Sequence, residues 1–209
     1  MKRIVLLALL GAGACRSAQR DFVDFSETPR TFVSADYGSI FDRWTRSTRV
    51  VSAEGTLIEV WATMKSLEFR EAYIERYAEI YDLNRIQREE LRRSQLQSAH
   101  SGYELHLSVQ MTDRRWNDLE RDNSPWRVTL KDGSGDTLEA TDIEAPKLPT
   151  LYETEFFPNR TPFTRTYVVR FDKQDEAGKA FEFGGEKTGL VVLRIASPRG
   201  TAELDWQTR

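Results

Sequence analysis

Apolar and polar positions alternate most regularly over residues 103–112. Tyr103, Leu105, Leu107, Val109 and Met111 share one parity, and Glu104, His106, Ser108, Gln110 and Thr112 the other. A period of two over ten residues predicts a half-buried β-strand with one wet face. Thr56–Met64 has the same period: Ile58, Val60, Ala62 and Met64 lie on one face, and β-branched and aromatic residues are enriched. Trp126–Lys131 alternates again, Asp132-Gly133-Ser134-Gly135-Asp136 supplies a turn, and Thr137–Ile143 returns as the partner strand. Further strands are predicted over Leu151–Phe157, stopped by Pro158-Asn159, and over Thr164–Phe171, with Tyr167, Val169 and Phe171 on one face. Leu190–Ile195 is apolar nearly throughout, as an interior strand would be. Thr201–Trp206 places Ala202, Leu204 and Trp206 together.

The period changes between Met64 and Tyr103. From Leu67 to Tyr81, Phe69, Tyr73, Tyr77 and Ile80 recur at helical spacing with charged residues between them. Asn84 with Gln87 three residues on resembles a capping box, predicting a second helix to about Ala99. Ser39–Val51 reads as a short helix running into a first strand. About eight strands separated by turn signals predict a mainly β chain. The expected fold is an antiparallel, immunoglobulin-like β-sandwich with a helical hairpin inserted over residues 66–99. A closed barrel is the alternative architecture.

The start of the chain follows a different logic. Lys2 and Arg3 precede an unbroken apolar run, Ile4–Leu10, and the small residues Gly11 to Ala14 lead into Cys15. Charge, apolar core and small residues in this order are the layout of a secretory signal. The run is far short of the ~20 residues that a transmembrane helix needs. Ala12-Gly13-Ala14-Cys15 resembles the lipobox of bacterial lipoproteins, with Ala12 where that family prefers Leu. The resemblance covers about the first 15 residues. It implies cleavage before Cys15 by the type II signal peptidase, diacylglycerol on the Cys15 thiol, and acylation of the new amino terminus. Each acyl CH₂ buried in a bilayer contributes about 0.8 kcal/mol, so two or three chains anchor firmly. Arg16 rather than Asp follows the cysteine, which by the enteric sorting rule implies the periplasmic side of the outer membrane. The expected organisation is a signal peptide over residues 1–14, a lipidated, partly extended tether over 15–36 that can dock an aromatic on the domain, and a β-sandwich domain over 37–209.

Composition narrows the function classes. Cys15 is the single cysteine among 209 residues, so no internal disulfide is possible and the core must hold the fold. The net charge is −3; removing residues 1–14 takes away Lys2 and Arg3 and leaves −5. Polyanion binding rests on clustered Lys and Arg, so nucleic acid is not an expected partner.

Several patterns point weakly at chemistry. Gly184-Gly185-Glu186-Lys187-Thr188 approaches a phosphate loop, but Glu186 stands where Gly must precede Lys, and a strand rather than a helix follows. A hairpin loop is expected there. Asp132, Ser134 and Asp136 alternate oxygens as calcium loops do, but Ile143 occupies the twelfth position, where a bidentate Glu is needed, so a β-turn is expected. His100 and His106 are the only histidines; with Glu104 on the polar face of one strand they read as solvated surface groups rather than metal ligands. Arg85, Arg88, Arg92 and Arg93 form a basic stripe, read as a solvated helix face with local ion pairs. Phe69, Tyr73, Tyr77 and Tyr81 read as the core of the helical hairpin. No nucleophile with a base is recognisable.

The resulting expectation is a cell-envelope lipoprotein, not an enzyme, whose domain is a structural or protein-interaction module. It is expected to need no cofactor or metal, and to meet the membrane through the lipid at Cys15 and, besides it, an envelope protein. The alternative is a carrier of a small apolar ligand in a barrel-like or helix-roofed cavity, which an interior filled by Trp61, Tyr103, Trp126, Tyr167 and Trp206 would oppose.

Overall fold

The strands form wherever alternation lets one face leave water, and they pair antiparallel in two sheets. The computed structural model describes residues 22–25, 30–53, 55–174, 180, 181, 183 and 189–208. Helix α1 (Tyr37–Trp44) runs directly into β1 (Thr45–Ser52), which turns back into β2 (Gly55–Met64). Helices α2 (Leu67–Ile80) and α3 (Arg85–Ser101) intervene before β3 (Gly102–Met111). There follow β4 (Arg127–Lys131), β5 (Thr137–Glu139), β6 (Asp142–Glu144), α4 (Thr150–Phe156), β7 (Arg165–Asp172), β8 (Leu190–Ser197) and β9 (Gly200–Gln207). One sheet has the order β1-β2-β3-β7-β6 and the other β5-β4-β8-β9. The chain is thus mainly antiparallel β, in two sheets, with helices added.

Between the sheets the predicted faces meet. Ile58, Val60, Ala62 and Met64 of β2, Leu105, Leu107 and Val109 of β3, and Tyr167, Val169 and Phe171 of β7 are buried. Val128, Leu130, Val191, Leu193, Ile195, Ala202, Leu204 and Trp206 oppose them. Each Val, Leu, Ile, Phe or Met among them contributes roughly 1.5–3 kcal/mol by leaving water. The Trp206 indole also donates to the Trp44 carbonyl at 3.0 Å, tying β9 to the end of α1.

Two expected strands differ. The run over Thr137–Ile143 is two strands, because Ala140 and Thr141 carry the chain from one sheet to the other. The Ala140 amide bonds Val128 of the four-stranded sheet (3.1 Å), and the Thr141 amide bonds Arg170 of the five-stranded one (2.9 Å). Leu151–Phe157, expected as a strand, is the helix α4. Leu151 points to solvent, while Glu153 and Phe156, three residues apart, are buried together with Tyr152 partly covered. That is a helical face, and Pro149 and Pro158 bound it.

The wet face expected of β3 is also corrected. Glu104, His106 and Ser108 are buried. Phe157, just beyond α4, stacks on the His106 ring, and Phe69 of α2 stacks on Phe157. Tyr37 and Tyr73 extend this second apolar layer, in which the Tyr37 hydroxyl donates to the Phe156 carbonyl at 2.6 Å. The aromatic stripe of α2 is therefore core, as expected for Phe69 and Tyr73, while Tyr81 is exposed. The described residues contain no helix long and apolar enough to cross a membrane.

Part of the segment expected as a tether is docked. Val23 is fully buried and bridges Thr208, its amide bonding the Gln207 carbonyl at 2.8 Å. Phe25 packs edge-on against Trp44 at 5.0 Å.

Candidate functional site

Cys15 and Gly184 to Thr188 lie outside the described residues. The Asp132 loop is a turn: one carboxylate oxygen of Asp132 accepts from the amides of Ser134 (3.0 Å) and Asp136 (2.9 Å), while Gly135 takes φ +92°. His100 is exposed at the end of α3, whereas His106 is buried in the sheet, so the two do not share a surface. No group of three His, Cys, Asp or Glu that could hold a metal occurs among the described residues.

Glu104 and His106 belong instead to a buried charged cluster. Lys65 and Arg70 enter it from the connection into α2 and from α2 itself. The Lys65 ammonium bonds one oxygen of Glu104, and the Arg70 guanidinium lies 3.4 Å from the other. Arg170, the cross-strand neighbour of Glu104 on β7, lies 3.8 Å from that same oxygen and also pairs with Asp142 and Glu144. Burial by itself would raise the Glu104 carboxyl, but Lys65, Arg70 and Arg170 outweigh it and hold the group below the usual carboxylate range. Burial pushes the Lys65 ammonium down, against the pull of Glu104. Burial lowers His106 to about 3, helped by Lys65, so its imidazole is neutral and its Nε2 has no hydrogen-bond partner among the described residues. Arg70 further donates to the Lys65 carbonyl (2.9 Å) and to Gln95 of α3 (2.8 Å). The cluster fastens the helical insertion to the sheet.

The arginines of α3 do the same from the other side. Arg88 pairs with Glu75, and Arg92 with Glu71 and Glu75, all across the hairpin to α2 rather than along α3. The remaining stripe residues, Arg85 and Arg93, are exposed, and none of the seventeen residues of α3 is buried.

A cleft of about 330 Å³ opens beside the start of β7. It is larger than the clefts of about 140 Å³ beside Trp116 and about 50 Å³ beside Lys65. β6 pairs with β7 only opposite Val168, Val169 and Arg170. The chain then leaves through Ala145, Pro146, Lys147 and Leu148, and proline offers no amide to continue the ladder. Those four residues form one wall, and Thr164, Arg165 and Thr166 of the uncovered strand form the other. Glu153, 3% exposed, and Arg160 complete the lining. The Thr166 hydroxyl donates to one oxygen of Glu153, and Arg160 Nε lies 2.5 Å from the other. Arg165 is neutralised by Glu120 and donates to the Asn117 carbonyl at 2.7 Å. Lys147 has no carboxylate partner among the described residues. Sequence pattern offered no sign of this cleft beyond Pro146 and Pro149, since a strand over Leu151–Phe157 is what the local pattern predicts and α4 is what carries Glu153 into the lining.

Neither a protein-family model nor a curated protein sequence matches the chain. In structure the chain is similar to a novel protein of unknown function from Burkholderia pseudomallei K96243, at 15% identity and a TM-score of 0.38 over 83% of this chain and 89% of that one.

Proposed function

We propose that the chain is the precursor of a bacterial envelope lipoprotein, cleaved before Cys15 and lipidated on that sulfur, whose β-sandwich serves as a non-catalytic interaction module on the periplasmic side of the outer membrane. One observation carries this reading: Lys2-Arg3, the apolar run Ile4–Leu10, the small residues and Cys15 stand in the order that lipoprotein signals require.

Two features of the folded part support it. Val23 is eight residues beyond Cys15 and is fixed to β9 by its bridge to Thr208. Eight residues span at most about 28 Å. A lipid on Cys15 would therefore hold this end of the sandwich close to the bilayer. Helix α3 stands on the domain with no buried residue, held by ion pairs to α2. Only Leu91 of α3 packs, partly covered, against the core, which leaves most of the helix surface open to meet another surface.

The test is metabolic labelling with an alkyne fatty acid in cells expressing the wild-type chain or Cys15→Ala. Label and detergent-dependent extraction are expected for the wild type and absent from the variant. Equal labelling of both would overturn the proposal.

A further inference from the structure

We propose that the cleft between the 145–148 loop and the start of β7 binds a small molecule through an oxyanion, a carboxylate or a phosphate monoester, held by Arg160 and Lys147. This goes beyond the lipid anchor and does not depend on it.

The charge balance of the cleft points to an anion. Its cations are Lys147, Arg160 and Arg165 and its carboxylate is Glu153. Glu153 is matched by Arg160, and Arg165 by Glu120 from outside the lining. Lys147 is left over, so the cleft carries one uncompensated positive charge.

The donors are also arranged for it. Glu153 lies 2.5 Å from Arg160 Nε as an ion pair without a hydrogen bond, which holds the guanidinium charge against the buried carboxylate. The two terminal nitrogens of Arg160 have no acceptor among the described residues and are not buried. They form the planar fork that pairs with both oxygens of a carboxylate or phosphate. Glu153 is itself held by Thr166, so the fork is drawn towards a buried carboxylate anchored on β7. The loop that carries Lys147 is stiffened by Pro146 and Pro149, the latter in an extended conformation with φ −59° and ψ 137°. Such a loop loses little conformational freedom when a ligand arrives. A volume of about 330 Å³ lies at the lower end of small-molecule sites, which span roughly 300–1,000 Å³, and suits a compact solute.

The test is titration of the ¹⁵N-labelled full chain at constant ionic strength, followed by amide NMR. N-acetylalanine supplies a carboxylate and glycerol 2-phosphate a phosphate; N-acetylalaninamide and glycerol are the uncharged controls. At least one oxyanion is expected to shift the amides of residues 145, 147, 148, 153, 160 and 164–166 saturably, while the controls do not. Which oxyanion binds more tightly names the source. Lys147→Ala removes an exposed side chain and leaves the fold intact, and should weaken binding about tenfold. Arg160→Lys keeps the charge opposite Glu153 but loses the fork, and should weaken binding further. Shifts that do not saturate, equal shifts with the neutral analogues, or unchanged affinity in Lys147→Ala would each overturn the proposal.

Discussion

The imidazole of His106 lies flat against the ring of Phe157, with centroids 3.4 Å apart and planes 7° from parallel. This contact seals the outer face of the five-stranded sheet, and it makes stability depend on pH. Burial, with Lys65 nearby, lowers the folded-state pKa of His106 to about 3, below the ordinary value of 6.5. Between these limits the unfolded chain binds a proton that the folded chain refuses, so stability is full above pH 6.5 and falls as pH drops towards 3. The slope approaches about 1.4 kcal/mol per pH unit. Urea unfolding at pH 7, 6, 5.5 and 5 should show this fall, and His106→Leu should flatten it. A variant with the wild-type slope would place the titration elsewhere.

Glu104 serves three cations, and two of them, Lys65 and Arg70, are largely buried. Glu104→Gln keeps the shape but strands those charges, which costs about 3–5 kcal/mol. Adding Lys65→Met removes one stranded cation and should restore part of the loss. Denaturation of the two variants separates this account from simple packing damage: a double variant no more stable than Glu104→Gln alone would refute charge stranding.

How much of this was legible in the sequence follows the range of each interaction. Alternation over Tyr103–Met111 located β3 and its inward parity, because a strand's pattern is written in adjacent residues. Asn84 and Gln87 announced the start of α3 for the same reason, and their side chains do cap it reciprocally. The same local view misread Glu104 and His106 as solvated, since polar letters carry no record of Lys65 or Arg170 arriving from elsewhere. Leu151–Phe157 is too short to separate a period of 2 from one of 3.6, and only docking of Phe156 onto Tyr73 and Tyr77 decides for the helix. Strand order was beyond local pattern altogether, and so an immunoglobulin-like arrangement was a finer reading than alternation can carry. The cleft was hidden for a related reason: it exists where β6 stops pairing with β7.

Gly102, at the join between α3 and β3, approaches the neighbouring strand too closely for a side chain. A methyl group there would sit 2.5 Å from the Phe171 carbonyl oxygen, a backbone atom held in the β3–β7 ladder. Gly102→Ala must push the strands apart and should cost about 1–3 kcal/mol. Its φ of −176° is ordinary extended backbone, so the penalty is steric rather than conformational. A thermal unfolding midpoint equal to the wild type's would show that the ladder yields freely at this point.

The cap of α3 makes a different kind of prediction, because this helix has no buried side chain to share its fate with the core. The Asn84 side chain accepts from the Ile86 and Gln87 amides at 2.9 and 3.0 Å, and Gln87 returns a bond to the Asn84 amide at 3.1 Å. Asn84→Ala removes the acceptor and costs the helix about 1 kcal/mol. If α3 opens independently of the sandwich, that loss appears locally. Amide hydrogen exchange should quicken roughly fivefold over residues 86–93, with no change in β3, β7 or β8. Equal acceleration in those core strands would mean that hairpin and sandwich unfold as one unit, bound together by Arg70 between Glu104 and Gln95 more tightly than the exposed face of α3 suggests.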